Sequence, residues 1–290
     1  RDGGCTFSAV QGTIGTLPVV ALAATSSRLG VFALAYSSDV TKAGLYTSDD
    51  QGVTFQLAYA MPDHLPNGLY VSDDGTTLLL SSLTNVVPRQ PVLHVSIDGA
   101  MSFTQRVVNH QLDGQPLMAF KPTWSDPRTP GRSYLQAEAS NGTALLRIDG
   151  AASPVEVLRA PAGITAMALG TGADQVLVAS RQGLYASNSG GPFTKHGMLG
   201  AAQCLSSHNG SLYACASNYP PDSAAVARLT DDAQNFTKVF QFSETAGPLD
   251  CPAGTPVSQI CPSIWQGYAD QLGVPLNPSD GGAQPSDMPS

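Results

Sequence analysis

Charge is scarce in this chain, and so are the residues that build helices. Only 12% of its 290 residues are charged, and of its 22 acids 19 are aspartate and 3 are glutamate. Glutamate favours helix interiors, whereas aspartate favours turns and caps, so the imbalance predicts little helix. Four lysines and ten arginines leave a net charge of −8, which repels phosphate backbones and anionic lipid heads. Nucleic acid is therefore excluded as the expected partner. No run of 18 apolar residues occurs, so no spanning helix or direct membrane insertion is expected. Cys-x-x-Cys is missing, which argues against a zinc ribbon or a thioredoxin-type centre. The phosphate-binding Gly-x-x-x-x-Gly-Lys-(Ser/Thr) loop, His-Glu-x-x-His and Gly-x-Ser-x-Gly are missing as well. No catalytic residue, cofactor or metal ligand is assigned on this basis. The doublets Asp49-Asp50, Asp73-Asp74 and Asp231-Asp232 are read as turn residues, with weak calcium sites as the alternative.

What is present is glycine (29), proline (22) and a 42% hydrophobic fraction, enough for a substantial core broken by many turns. The five cysteines lie at 5, 204, 215, 251 and 261. Asn209-Gly210 is a strong hairpin signal, because a type I′ turn needs positive φ at both central residues. A two-residue turn there sets Cys204 directly opposite Cys215, within disulfide reach. An oxidised bridge, and with it export, is expected over two buried thiols. Cys251 and Cys261 enclose a short Pro/Gly-rich loop and can close a second bridge, which leaves Cys5 over. The chain opens on Arg1, so removal of an upstream export signal is expected.

A unit repeats along the chain. Gly44-Leu45-Tyr46-Thr47-Ser48-Asp49-Asp50-Gln51-Gly52-Val53-Thr54-Phe55 is a strand, a polar turn and the start of another strand. It returns in weaker form at 95–103, 146–150, 183–193 and 229–236, with a mean spacing of about 45 residues, the length of a four-stranded blade. The apolar runs between these anchors are short, β-rich and bounded by Gly, Asn, Asp or Pro. The expected fold is all-β: a β-propeller of about five four-stranded blades, with six or seven as alternatives, spanning 18–243. It is preceded by an N-terminal segment, 1–17. A capping segment, 244–273, carries a short helix from a Ser263 cap to Gly273, and a linker follows at 274–290.

The stretch Ser48 to Phe55 resembles the Asp-box, Ser-x-Asp-x-Gly-x-Thr-(Trp/Phe), of the BNR-type propellers, which include bacterial sialidases, sortilin-type receptors and some glucanases. The resemblance makes Ser48, Asp50, Gly52 and Phe55 structural residues of a hairpin between the two outer strands of a blade. It implies no single function. Ala100 replaces the glycine in the second copy, and the fourth copy is a residue short. The pattern Cys251…Cys261-Pro262-Ser263-Ile264-Trp265 also resembles a C-terminal segment of myxobacterial exported surface proteins.

Propeller topology sorts the loops by face, and the face made by the between-blade and second-to-third-strand loops usually carries the site. On it fall His64, Arg89, His110, Tyr219 and Asp222, the candidate ligand-binding residues. The expectation is an exported or cell-surface, non-catalytic, monomeric bacterial propeller that binds a protein or carbohydrate through these loops. The alternative is a sialidase-like glycoside hydrolase, which needs clustered arginines for the substrate carboxylate, a Glu–Tyr nucleophile pair and a further carboxylate, whereas only Arg89 and Arg181 are expected on the site face.

Overall fold

The computed structural model describes residues 5–274 except 7–8, 11, 26–29, 161–162, 173, 246 and 248–250. The stretch 275–290, most of the expected linker, lies outside the described residues. Short β-rich runs between turns give five four-stranded antiparallel sheets, each paired in sequence order, and one two-stranded hairpin. Sheet 1 is β1 (Val19–Ala24), β2 (Val31–Ala35), β3 (Gly44–Ser48) and β4 (Gln56–Ala60). Sheet 2 is β5 (His64–Val71), β6 (Leu78–Thr84), β7 (Pro91–Ser96) and β8 (Thr104–Val107). The hairpin β9 (Gln111–Leu112) and β10 (Gln115–Pro116) leads into sheet 3, formed by β11 (Ala119–Ser125), β12 (Arg132–Ala139), β13 (Gly142–Asp149) and β14 (Val155–Arg159). Sheet 4 is β15 (Ile164–Leu169), β16 (Gln175–Ser180), β17 (Gly183–Asn188) and β18 (Thr194–His196). Sheet 5 is β19 (Cys204–His208), β20 (Ser211–Cys215), β21 (Val226–Thr230) and β22 (Asn235–Phe240).

First strands adjoin in series: β1 borders β5, β5 borders β11, β11 borders β15 and β15 borders β19. Successive sheets therefore stack face to face, and each junction is an apolar layer. Phe32, Leu34 and Leu45 of sheet 1 meet Leu78 and Leu80 of sheet 2. Leu79 and Leu93 meet Phe120, Leu135 and Leu146 of sheet 3. Tyr134 and Leu145 meet Val176 and Val178 of sheet 4, and Leu177 and Leu184 meet Leu212 and Leu229 of sheet 5. Middle strands buried on both faces read as near-continuous hydrophobic runs, as in Leu78-Leu79-Leu80. A bulge recurs in the first strand of four sheets, between Val19 and Ala21, Pro66 and Gly68, Pro122 and Trp124, and Ile164 and Ala166. Bulges bend a strand and increase its twist, as a radial array of sheets requires. At Gly68 a Cβ would lie 2.6 Å from Ser81 Oγ and 2.8 Å from Pro122 Cδ, so sheets 2 and 3 approach as closely as they do only because that residue is glycine.

The hairpins between third and fourth strands explain their polar residues. Ser48 Oγ donates to Asp50 Oδ1 at 2.7 Å and accepts from Gly52 N at 2.8 Å, while Thr54 N and Oγ1 donate to the Asp50 carboxylate. The second hairpin repeats this frame through Ser96, Asp98, Ala100 and Ser102. There Ala100 takes the left-handed conformation, φ 74°, that Gly52 adopts at 87° in the first. Hydrogen bonds from the Thr54 and Ser102 side chains hold Asp50 and Asp98 down at about 2. These carboxylates are already satisfied by their own turns, and among the described residues no group of three His, Cys, Asp or Glu side chains could hold a metal ion.

The ends of the chain depart from expectation. Cys204 and Cys215 are bonded, S–S 2.05 Å, and stand opposite each other in the β19–β20 register. Cys251, however, is bonded to Cys5 rather than to Cys261, which is free. The physical reason is the helix. Helix α1 runs Pro256–Leu272, capped by Thr255 rather than Ser263, so the expected 251–261 loop is helical from 256 onward and carries Cys261 away along the axis. Pro256 suits the first turn, where its N–H is not needed, while Pro262 sits inside the helix, where proline normally ends one. Gly273 does close it, in a left-handed conformation at φ 70°. On the other flank a 3₁₀ turn, Thr13–Thr16, buries Ile14 against Ala33, Ala35 and Tyr46 on the outward face of sheet 1. Among the described residues no helix is long and apolar enough to cross a membrane.

Candidate loop-face site

Antiparallel order places the connectors β4–β5, β6–β7, β8–β11 and β20–β21 at one end of their sheets. His64 opens β5, the innermost strand of sheet 2. Arg89 lies in the turn between β6 and β7, whose tip presents Val86 at 70% and Val87 at 88% exposure. The turn is closed by Thr84 N to Gln90 O at 2.9 Å and by Gln90 N to Thr84 Oγ1 at 2.8 Å. Asn85 N donates to Asp63 O at 2.8 Å, which ties the Arg89 loop to the connector carrying His64. Arg89 is therefore on a turn tied to the residue before His64, which was expected in a loop but is the first residue of β5.

The other three are placed differently. His110, half-buried between β8 and β9, sits near Glu156 and Arg159, and burial pushes its imidazole below its ordinary value. Arg159 Nη2 lies 2.9 Å from Glu156 and 3.2 Å from Asp113, so the carboxylate beside His110 and that of Asp113 are held by one guanidinium. Tyr219 is 58% exposed, but its hydroxyl donates to Gln271 O of α1 at 3.2 Å, which fastens the helix to the β20–β21 loop. Asp222 is buried and accepts from the backbone N–H groups of Gly200, Ala201 and Ser217 at 2.8–3.2 Å. Its carboxylate stitches the β18–β19 connector to its own loop and faces inward. Of the three glutamates, Glu138 accepts from Gln136, Glu156 pairs with Arg159 and Glu244 pairs with Lys238.

Behind His64 lies a feature that loop-by-loop reading misses. Ser82 Oγ on β6 is 3.0 Å from His64 Nδ1 and 2.8 Å from Nε2 of His94 on β7. His94 Nδ1 is 3.1 Å from the Tyr59 hydroxyl on β4, and Gln105 Nε2 on β8 donates to that hydroxyl at 2.7 Å. The imidazole rings of His64 and His94 are 4.9 Å apart, nearly perpendicular, and Tyr59 stacks on Phe103 at 4.2 Å. Ser82 and His94 are fully buried. Burial, with His64 alongside, holds His94 down at about 4, and burial likewise lowers His64 against the pull of Asp63. Buried polar groups persist where each has a partner, and here every member has one. The available sequence signal is a polar residue in an apolar run, as in Val92-Leu93-His94-Val95, where alternation alone leaves it ambiguous between core and solvent.

No family model matches the chain, and no curated protein does. Among solved structures it is similar to a chain of the nidogen/laminin complex, with 12% identity and a TM-score of 0.51, over 79% of this chain and 81% of that one. It is also similar to the GH74 enzyme of Niastella koreensis, with 13% identity and a TM-score of 0.49, over 76% of this chain and 36% of that one. The GH74 xyloglucanase of Xanthomonas campestris gives 11% identity and 0.39, over 72% and 40%. The structural neighbours are β-propeller-type proteins, and at these identities the likeness speaks to the fold alone.

Proposed function

We propose that this chain is an exported, non-catalytic β-propeller of the Asp-box type, its five four-stranded sheets serving as blades, that binds a protein or glycan at a bacterial surface. The binding surface is the loop face where the tied connectors present His64, Arg89 and the apolar tip Val86-Val87, bordered by His110 and Tyr219. The observation that carries this reading is the Asn85–Asp63 backbone bond, which makes one continuous surface of two loops that present the apolar Val86 and Val87 beside the polar Asp63, Asn85, Arg89 and Gln90. Binding residues concentrate on loops held by a rigid scaffold. Two disulfides are compatible with export. Glu156 and Asp113 are engaged by Arg159 and Asp222 by backbone amides, which takes three of the carboxylates on this face out of the paired acid and base work of glycoside hydrolysis. Incubation with a panel of aryl glycosides is expected to give no turnover above buffer. Turnover abolished by Glu156→Gln or Asp113→Asn would replace the binding reading with a hydrolase.

A further inference from the structure

Resting on the loop-face reading, we infer that the ligand offers an acceptor oxygen to His64, because a one-way hydrogen-bond chain starting at Gln105 on the outer rim fixes His64 as an Nε2–H donor. The direction follows from counting protons. Gln105 Nε2 carries only donors, so the Tyr59 oxygen accepts from it, and the Tyr59 proton is satisfied within the chain only by His94 Nδ1 as acceptor. With Nδ1 accepting, neutral His94 carries its proton on Nε2 and donates to Ser82 Oγ. Ser82 then has its single proton left for His64 Nδ1, which accepts. The remaining proton of neutral His64 is on Nε2, the nitrogen not engaged by Ser82. Burial keeps both rings neutral at pH 7. Tyr59, Ser82 and His94 are positioning residues in this scheme, and His64 is the residue that touches ligand. A hydroxyl, carbonyl or carboxylate oxygen satisfies it, whereas an N–H or ammonium group does not.

The chain predicts its own reversal. Gln105 is exposed on β8, and Gln105→Glu removes the donor and supplies an acceptor for the Tyr59 proton. Every bond then flips: His94 Nδ1 donates to Tyr59, Ser82 donates to His94, His64 Nδ1 donates to Ser82 and His64 Nε2 is left bare. Imidazole nitrogen NMR of histidine-labelled protein at pH 7.5, with His64 assigned through His64→Gln, reads this without any ligand. The expected result is an Nε2–H tautomer in the wild type and an Nδ1–H tautomer in Gln105→Glu. Tyr59→Phe, which cuts the chain while keeping the ring stacked on Phe103, is expected to give a mixture. The same His64 tautomer in wild type and Gln105→Glu, an unmixed wild-type tautomer in Tyr59→Phe, or an Nδ1–H wild type would overturn the inference. Because the readout needs no ligand, it tests the donor state of His64 apart from binding: a failed tautomer result overturns the inference and leaves the loop-face reading standing, whereas loss of the loop-face reading removes the ligand but not the tautomer.

Discussion

Replacing Cys5 and Cys251 together by serine is expected to lower the melting temperature by about 10–20 °C, the largest effect of any two-residue change away from the sheet cores. Two features of the chain set the size. The bridge closes a loop with a sequence separation of 246, and in the chain-entropy model a loop of that order restrains the unfolded state by roughly 5 kcal/mol. For a domain of this size each kcal/mol moves the midpoint by about 2–4 °C. The bridge also joins the two ends of the sheet series. Sheet 1 turns its outward face to the 3₁₀ turn around Ile14 rather than to an apolar layer like those between the other sheets, and Val20 and Leu22 of β1 are 44% and 67% exposed. Breaking the bridge frees the N-terminal segment that covers this face. The Cys204–Cys215 bridge, at a separation of 11, is worth about 3 kcal/mol in the same model, so its serine pair should cost distinctly less. Differential scanning calorimetry of the two variants checks the ranking. A loss under about 3 °C for the Cys5/Cys251 pair would show that the ends hold without it.

Acidification is expected to destabilise the protein between about pH 6.5 and 4 through His94. Tyr59 from β4, His64 from β5, Ser82 from β6 and Gln105 from β8 face this ring, and none of them is a carboxylate that could welcome a charge. In the unfolded chain the imidazole takes up its proton near 6.5, whereas in the fold it does so only near 4. Between these values the unfolded state binds more protons, so stability falls as pH falls, by on the order of 3 kcal/mol across the whole window. His64, lowered in the same direction, adds to the slope. Asp50, Asp74 and Asp98, held at about 2, lose their contribution only below this range. Urea unfolding at pH 7.5, 6.5, 5.5 and 4.5 is expected to show the decline in the wild type and a flatter profile in His94→Gln, which starts less stable. Parallel profiles would remove His94 as the cause.

The sheets were legible because their signals are local and repeated. Asn209-Gly210 alone placed Cys204 opposite Cys215, and Ser48 to Phe55 marked the hairpin whose weaker copies recur. The helix start was hidden because Pro262 reads as a stop, although tertiary context tolerates it inside the helix. The Cys5–Cys251 bridge was hidden because residues 246 apart leave no trace in spacing. At the site, topology showed at which end of the sheets Arg89 lies, whereas His64, expected in a loop from 60 to 68, opens β5 because its strand starts earlier. Orientation was not: Asp222 looks like any loop aspartate until the backbone amides it accepts are seen, and Tyr219 gives no sign of its contact with α1. The relay behind His64 joins four strands of sheet 2 and one of sheet 1, a grouping made only by register and packing.

The central claim is that this face binds. The direct measurement is the affinity of a partner, drawn from a glycan array or from surface proteins of the source cell, for three forms of the purified protein. The account predicts that replacing His64 and Arg89 together by alanine weakens binding at least tenfold. It also predicts that Ile97→Ser with Met101→Ser, on an exposed hairpin of the opposite face, leaves binding unchanged. Binding that survives the first pair of substitutions and is lost with the second would contradict it.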